Sequence, residues 1–433
     1  MSKFNLATFV LVVLAARAGA ALPPAAPPPV AKLTLATCVE IALGQNPQLL
    51  ATLESEQEAR WRYYEQRALF VPTATLTGYR RRQTVPPALG NFVFGSAEVD
   101  DRHAELDGTI WTGGRWEAGM HARKAAARAA RADSLDARNA ITFQVTQAYF
   151  DVLLARELVT VAASTLAQVQ RQLDQAVKSF DAGTAARFDV VRARTQLANA
   201  KPPLIRAQST EKINRQALIN AMGLPEDMEF ELAGDFDVRP IAVGKDGAVA
   251  LAWEGREDLK AALLRVKAAD ESVKEAAAAD HPTVTFHVAN DHSLGQRPPF
   301  DQFVDINDAQ VAYNVPIFDG GVSHEHIREL RAERKRLGYL VQQLKNNIRA
   351  DVVQALARID EARAVIQSSD EAVREADEAV EIAEAGYQQG LRTNLEVLDA
   401  QLARDTARTN RAQARHDYAV ARARLEQVLG RKI

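Results

Sequence analysis

Apolar positions recur at two different periods along this chain, and the change between them happens twice. Over 47–70 and 257–280 they follow helical spacing, and each run stops at a proline, Pro72 or Pro282. Proline removes a backbone donor and biases the residue before it away from helix. The period then drops to two. Thr73, Thr75, Thr77 and Tyr79 alternate with Ala74, Leu76 and Gly78, as Thr283, Thr285 and His287 do with Val284, Phe286 and Val288. One polar and one apolar face predict strands over about 73–82 and 283–290. A second alternating run follows each. His103, Glu105, Asp107 and Thr109 oppose Ala104, Leu106, Gly108 and Ile110 over 103–110, and Ala309, Val311, Tyr313, Val315 and Ile317 form the apolar set over 309–317. Such runs have about the 9–11 residues that a tilted strand needs to cross a bilayer. Alternation alone fits equally well a soluble hairpin packed on a helix.

After each pair of strands the helical period returns without interruption, over about 114–181 and 321–388, up to Gly183 and Gly390. At 1.5 Å per residue each run reaches roughly 100 Å, too long for a small globular domain. Val145, Val152, Val159, Leu166 and Leu173 keep a near-heptad spacing, which predicts a coiled-coil seam. Shorter return helices follow over 185–222 and 393–429, with a kink expected at Pro202-Pro203.

The two halves are expected to be repeats. A shift of 207 residues superposes Trp111-Thr112-Gly113-Gly114 on Phe318-Asp319-Gly320-Gly321, Phe180 on Tyr387, Gly183 on Gly390 and Gly223 on Gly430. A shift of 210 places Leu49 on Leu259 and Pro72 on Pro282. The first unit spans 33–223, the second 257–433, and 224–256 links them.

Composition changes this picture little. The chain has 433 residues, 25% of them charged, and a net charge of −3 without a one-sided basic block, which argues against nucleic acid as a partner. Lys3, the apolar run 4–16 and Ala18-Gly19-Ala20 predict a secretory signal peptide over 1–20, followed by a Pro-rich segment over 21–32. Beyond it no stretch reads as a membrane-spanning helix. The only cysteine, Cys38, rules out an intrachain disulfide; it reads as a small buried hydrophobe, with a lipid-attachment site as the alternative after Leu35-Ala36-Thr37. His324-Glu325-His326 invites a metal reading, but positions two apart on a helix point to different sides. No phosphate loop or hydrolase motif occurs, so the expectation is no catalytic residues, no cofactor and no metal.

These features together resemble the TolC family of outer-membrane efflux proteins. The resemblance runs from about Leu33 to Gly430 and is carried by Leu33-Thr34-Leu35, Ala42-Leu43, Asn46-Pro47, Val315-Pro316-Ile317-Phe318-Asp319-Gly320-Gly321, Ala385-Gly386-Tyr387 and Leu395-Glu396-Val397-Leu398-Asp399-Ala400. It implies a mainly α protein with a membrane β-barrel: a homotrimer in the outer membrane, with four strands per protomer in a twelve-stranded barrel on a helical periplasmic tunnel. The implied partners are a periplasmic adaptor, an inner-membrane pump of the resistance-nodulation-division or ATP-driven class, and outer-membrane lipid. The resemblance further implies that Glu396 and Asp399 line the entrance constriction and that Tyr387 and Arg392 link to Asp189 as a gate, beside the turn glycines Gly183 and Gly390. A soluble periplasmic coiled-coil scaffold is the competing function. A surface enzyme or lectin on a helical stalk is weaker, since 224–256 carries no paired catalytic set.

Overall fold

The computed structural model describes residues 32–84, 96–225, 228, 230–236, 244–297 and 300–432. The expected signal peptide and nearly all of the Pro-rich segment lie outside these residues. In the first half the order is β1 (Lys32–Leu33), α1 (Leu35–Gln45), α2 (Pro47–Ala68), β2 (Thr73–Thr84), β3 (Ser96–Trp111), α3 (Arg115–Asp181) and α4 (Arg187–Met222). There follow β4 (Glu231–Leu232), α5 (Lys245–Gly255), α6 (Glu257–Ala277), β5 (Thr283–Arg297), β6 (Phe300–Asn314), α7 (Val322–Gln388) and α8 (Asn394–Leu429). The long helices α3 and α7 have 67 residues each and their return helices 36. A 67-residue helix spans about 100 Å.

The core sits where the short helices meet the long ones. Leu33, Leu49, Val145, Tyr149, Leu218 and Phe236 belong to one apolar cluster, joining α1, α2, α3 and α4 with the linking segment. A second cluster joins α5, α6, α7 and α8 through Leu259, Ile348, Val352, Tyr418, Leu425 and others. At each core the return helix ends on a glycine held tightly against the turn between two shorter helices. Asn46 caps α2 and donates to Ala221 O at 2.8 Å, and a Cβ on Gly223 would come within 2.6 Å of Gln45 O. A Cβ on Gly430 would likewise meet Gly255 O at 2.5 Å. No side chain fits at either position.

β2, β3, β5 and β6 form one antiparallel sheet in that order, so β3 pairs with β5 across the two halves and β2 and β6 are left as edges. The strands outrun the expected 73–82, 103–110 and 283–290, because the sequence beyond those bounds loses the alternation of apolar and polar residues. β6 starts earlier than expected and stops at Asn314, so Val315 and Ile317 fall beyond it; Pro316 cannot donate to a ladder. The β3–β5 register slips between Thr109 and Trp111, which places Ile110 in a bulge.

α4 runs through Pro202 and Pro203 as one helix. One further expectation changes. α3 contains an 18-residue window of mean hydropathy 1.4, long and apolar enough by composition to cross a membrane, where no membrane-spanning stretch is expected from the sequence. Its Val, Leu and Ala residues raise the hydropathy, yet Thr165 and Gln168 within α3 bond to Asp405 and Arg404 of α8 at 2.6 Å each. That stretch is the seam of a helix pair.

Candidate functional site

Two regions place chemistry-bearing side chains together: the turns that end the long helices, and the polar face of the sheet. At the first turn Gly183 has φ 77° and at the second Gly390 has φ 72°, a left-handed conformation that favours glycine. Thr184 N donates to Ser179 O and Gly183 N to Phe180 O; Leu391 N donates to Gly386 O and Gly390 N to Tyr387 O. Both helices thus end in the same Schellman arrangement, satisfying carbonyls left over by the last turn. In the second turn the stem of Arg392 lies on Gly386, where a Cβ would sit 2.7 Å from Arg392 Cγ.

The return helices start differently. Glu396 is the third residue of α8 and accepts from Thr393 N at 2.7 Å, while Glu396 N donates to Thr393 Oγ1 at 3.4 Å. This is a reciprocal capping box, already spelled by Thr393-Asn394-Leu395-Glu396. The Thr393 backbone N–H, the Thr393 hydroxyl and Arg392 hold the Glu396 carboxyl below its ordinary range. Arg392 Nη1 lies 3.5 Å from Glu396 Oε1. Asp189, the matching third residue of α4, accepts from Ala186 N at 3.2 Å, but Ala186 has no hydroxyl to complete a box.

Within one chain Arg392 stays with the acidic pair and is not joined to Asp189. Glu396 and Asp399 share an exposed face. Among the described residues no hydrogen bond or ion pair joins Tyr387 or Arg392 to Asp189; Arg392 is engaged with Glu396 instead. His324 and His326 are exposed at the start of α7, and His326 pairs with Glu329 in its own helix.

The sheet has two chemically different faces. On one, Leu76, Val311 and Tyr313 are 80%, 68% and 66% exposed, and Leu106, Val288 and Ile110 are exposed beside them. Phe286 covers Gly108, where a Cβ would clash with its ring at 2.3 Å. On the other, cross-strand pairing aligns Asp107 with His287 and His103 with Asp291. His287 Nδ1 is 2.7 Å from Asp107 Oδ1, and His103 contacts both Asp291 and Glu105. The sequence placed His103, Glu105 and Asp107 on one polar face but could not join them to His287 and Asp291, because the link depends on β3–β5 register.

The chain matches the family described as outer membrane efflux protein over residues 38–224 and 248–431. It is 22% identical to the outer membrane protein TolC of Vibrio cholerae over 409 residues, covering 92% of this chain and 90% of that protein. It is 23% identical over 337 residues to the cobalt-zinc-cadmium resistance protein CzcC of Cupriavidus metallidurans, covering 76% of this chain and 77% of that protein. Over 407 residues it is 22% identical to the alkaline protease secretion protein AprF of Pseudomonas aeruginosa, covering 90% of this chain and 83% of that protein. Among solved structures, the Campylobacter jejuni CmeC outer membrane channel superposes with a TM-score of 0.82 at 15% identity, over 92% of this chain and 85% of that one. The scaffold alternative does not survive these matches. The chain belongs to the outer membrane efflux protein family and is an outer-membrane channel for export, with its strands at the outer membrane and its long helices in the periplasm.

Proposed function

We propose that three copies close into a twelve-stranded barrel on a shared helical tunnel, a passive exit duct fed by a periplasmic adaptor and an inner-membrane pump. The observation that carries this reading is the open four-stranded sheet: two unpaired edges, an exposed apolar face and a polar opposite face, at one end of two 67-residue helices. Open edges are not tolerated in lipid, since each unpaired backbone group costs several kcal/mol there. Closure with neighbouring copies satisfies both edges and turns the apolar face to lipid and the polar face to water. Two internal repeats, 33–223 and 257–433, account for the paired 67- and 36-residue helices and for the glycine contacts at both cores.

The cargo is proposed only as a class, small molecules or secreted polypeptides. The relatives named for metal resistance and for protease secretion differ in what they serve. The helix turns form the periplasmic end, with Glu396 and Asp399 of three copies as acidic rings at its narrowest point. Arg392 and Tyr387 hold the second turn inward by reaching Asp189 of the first turn, a bond made when the turns meet in the assembled tunnel. Fractionation of the native cell tests the core of this reading: a heat-modifiable trimer extracted by detergent from outer membranes is expected, and recovery of the chain in the soluble periplasm would reject it.

A further inference from the structure

On the polar face of the sheet, one ligand atom from each of Glu105, Asp107 and His287 lies within 4.8 Å of the others. All three belong to one chain, Glu105 and Asp107 on β3 and His287 on β5, where a hydrogen-bonded ladder fixes their backbones. The His287–Asp107 pair, at 2.7 Å, is already closer than two ligands of one ion need to be. Ligands about 2.0–2.2 Å from a tetrahedral cation lie roughly 3.3–3.6 Å apart, so modest side-chain rotation suffices to bring Glu105 in.

The charge around this trio is unbalanced. Asp291 and Asp308 neighbour it on the same face, and among the described side chains of that face there is no Lys or Arg. His103 engages Glu105 and Asp291. Carboxylates brought together in a confined wall repel unless a cation offsets them. One imidazole with two carboxylates makes a mixed nitrogen and oxygen donor set, which suits zinc, cobalt or nickel better than the all-oxygen preference of magnesium or calcium.

We propose that Glu105, Asp107 and His287 form a binding site for a divalent transition-metal cation on the inner wall of the strand region, one site in each chain. The site is distinct from the acidic rings at the helix turns and does not depend on what the channel exports. When the ion binds, the Asp107–His287 hydrogen bond is exchanged for two metal bonds. Solvent and the neighbouring carboxylates complete the coordination.

The test uses the purified full-length protein in detergent, stripped with chelator and dialysed against zinc chloride, with bound metal counted by mass spectrometry and affinity measured by calorimetry. One zinc per chain is expected, with Mg²⁺ failing to displace it. Glu105→Gln with His287→Gln should weaken binding by at least about tenfold, and His326→Gln should leave it unchanged. Should the double variant fail to give the heat-modifiable trimer, Asp107→Asn is read in the same way. No zinc uptake by the parent protein up to millimolar concentration, or uptake that both cluster variants retain, overturns the proposal. Because binding is read on the chain itself, a failure here is separable from a failure of the channel reading, which the fractionation reports.

Discussion

His416 of α8 shows how a single residue ties the two halves together. It is 9% exposed, places Nε2 2.7 Å from Asp151 of α3, and has Nδ1 3.0 Å from Asp417. Burial disfavours its cation, but the hydrogen bonds to Asp151 and Asp417 outweigh that and raise its pKa above the ordinary imidazole value. A raised folded pKa stabilises the protein fully below the unfolded value of about 6.5, and the contribution fades as pH rises through the folded value. His416→Gln should therefore cost about 1–3 kcal/mol near pH 6 and clearly less near pH 9. Parallel melting profiles for parent and variant over that range would show that the pair carries no such linkage. Cys38 makes a simpler case: it is fully buried, and burial pushes its thiol up to about 12. Iodoacetamide at pH 8 should leave it unlabelled in the folded protein and label it in denaturant, as mass spectrometry would show. Labelling of the folded protein at the rate of a free thiol would count against the buried position.

At the scale of elements, the strands divide what a sequence shows from what it hides. Alternation assigned Leu76, Leu106, Phe286 and Val311 to one face and Thr75, Thr285 and His287 to the other, because side chains on a strand point alternately. The two faces lead to a paired prediction. Val311→Arg should lower assembly by about 2–4 kcal/mol if it lies near the bilayer midplane, whereas Thr285→Arg, beside Asp107 and His287, should be tolerated. Equal loss of trimer in a heat-modifiability gel would mean that the faces are assigned the wrong way round. The helix ends were legible for a local reason too, since Gly183, Gly390 and the Thr393–Glu396 box act within one turn of chain. Strand lengths were not, because the outer ends of β2 and β3 read Arg80-Arg81-Arg82 and Asp100-Asp101-Arg102, with no apolar face to count. The His103, Glu105, Asp107, His287 and Asp291 grouping was also hidden, since it joins residues 180 and 188 positions apart through a register that no local pattern specifies.

For the whole molecule the distribution of contacts along the helices suggests where motion is cheap. Around the two apolar cores α3, α4, α7 and α8 are fixed by buried Leu, Ile, Val and Tyr side chains and by glycine contacts too tight for a methyl group. Between α3 and α8 the seam turns polar: Thr165 bonds Asp405, Gln168 bonds Arg404 and Gln172 bonds Gln401. Gln168 Nε2 and Gln172 Oε1 are buried there without a hydrogen-bond partner, and Arg404 Nε lies 3.5 Å from Asp405 Oδ1, beyond good hydrogen-bond geometry. Polar contacts of this kind can be exchanged for one another as helices slide, at less cost than uncovering an apolar core. We therefore expect the proposed gate to open by movement of the α7–α8 turn about a fixed base. In three copies Glu396 and Asp399 would bring six carboxylates together, and Arg392 is the nearest compensating charge, 3.5 Å from Glu396. An exposed pair of this sort contributes only about 0–1 kcal/mol by itself, but threefold repetition makes several such terms act on one constriction. Arg392→Ser with Tyr387→Phe removes the proposed links to Asp189 and uncovers the carboxylates, so single-channel current in planar bilayers should rise and cation preference should sharpen. For the acidic rings, Glu396→Gln with Asp399→Asn is the better probe than alanine, because glutamine can still serve the capping box while its charge is gone. That variant should lose cation preference and block by multivalent cations with little loss of stability. Unchanged current in the first variant together with unchanged selectivity in the second would leave these residues as a capped and solvated helix start, and the constriction would have to be sought elsewhere along the tunnel.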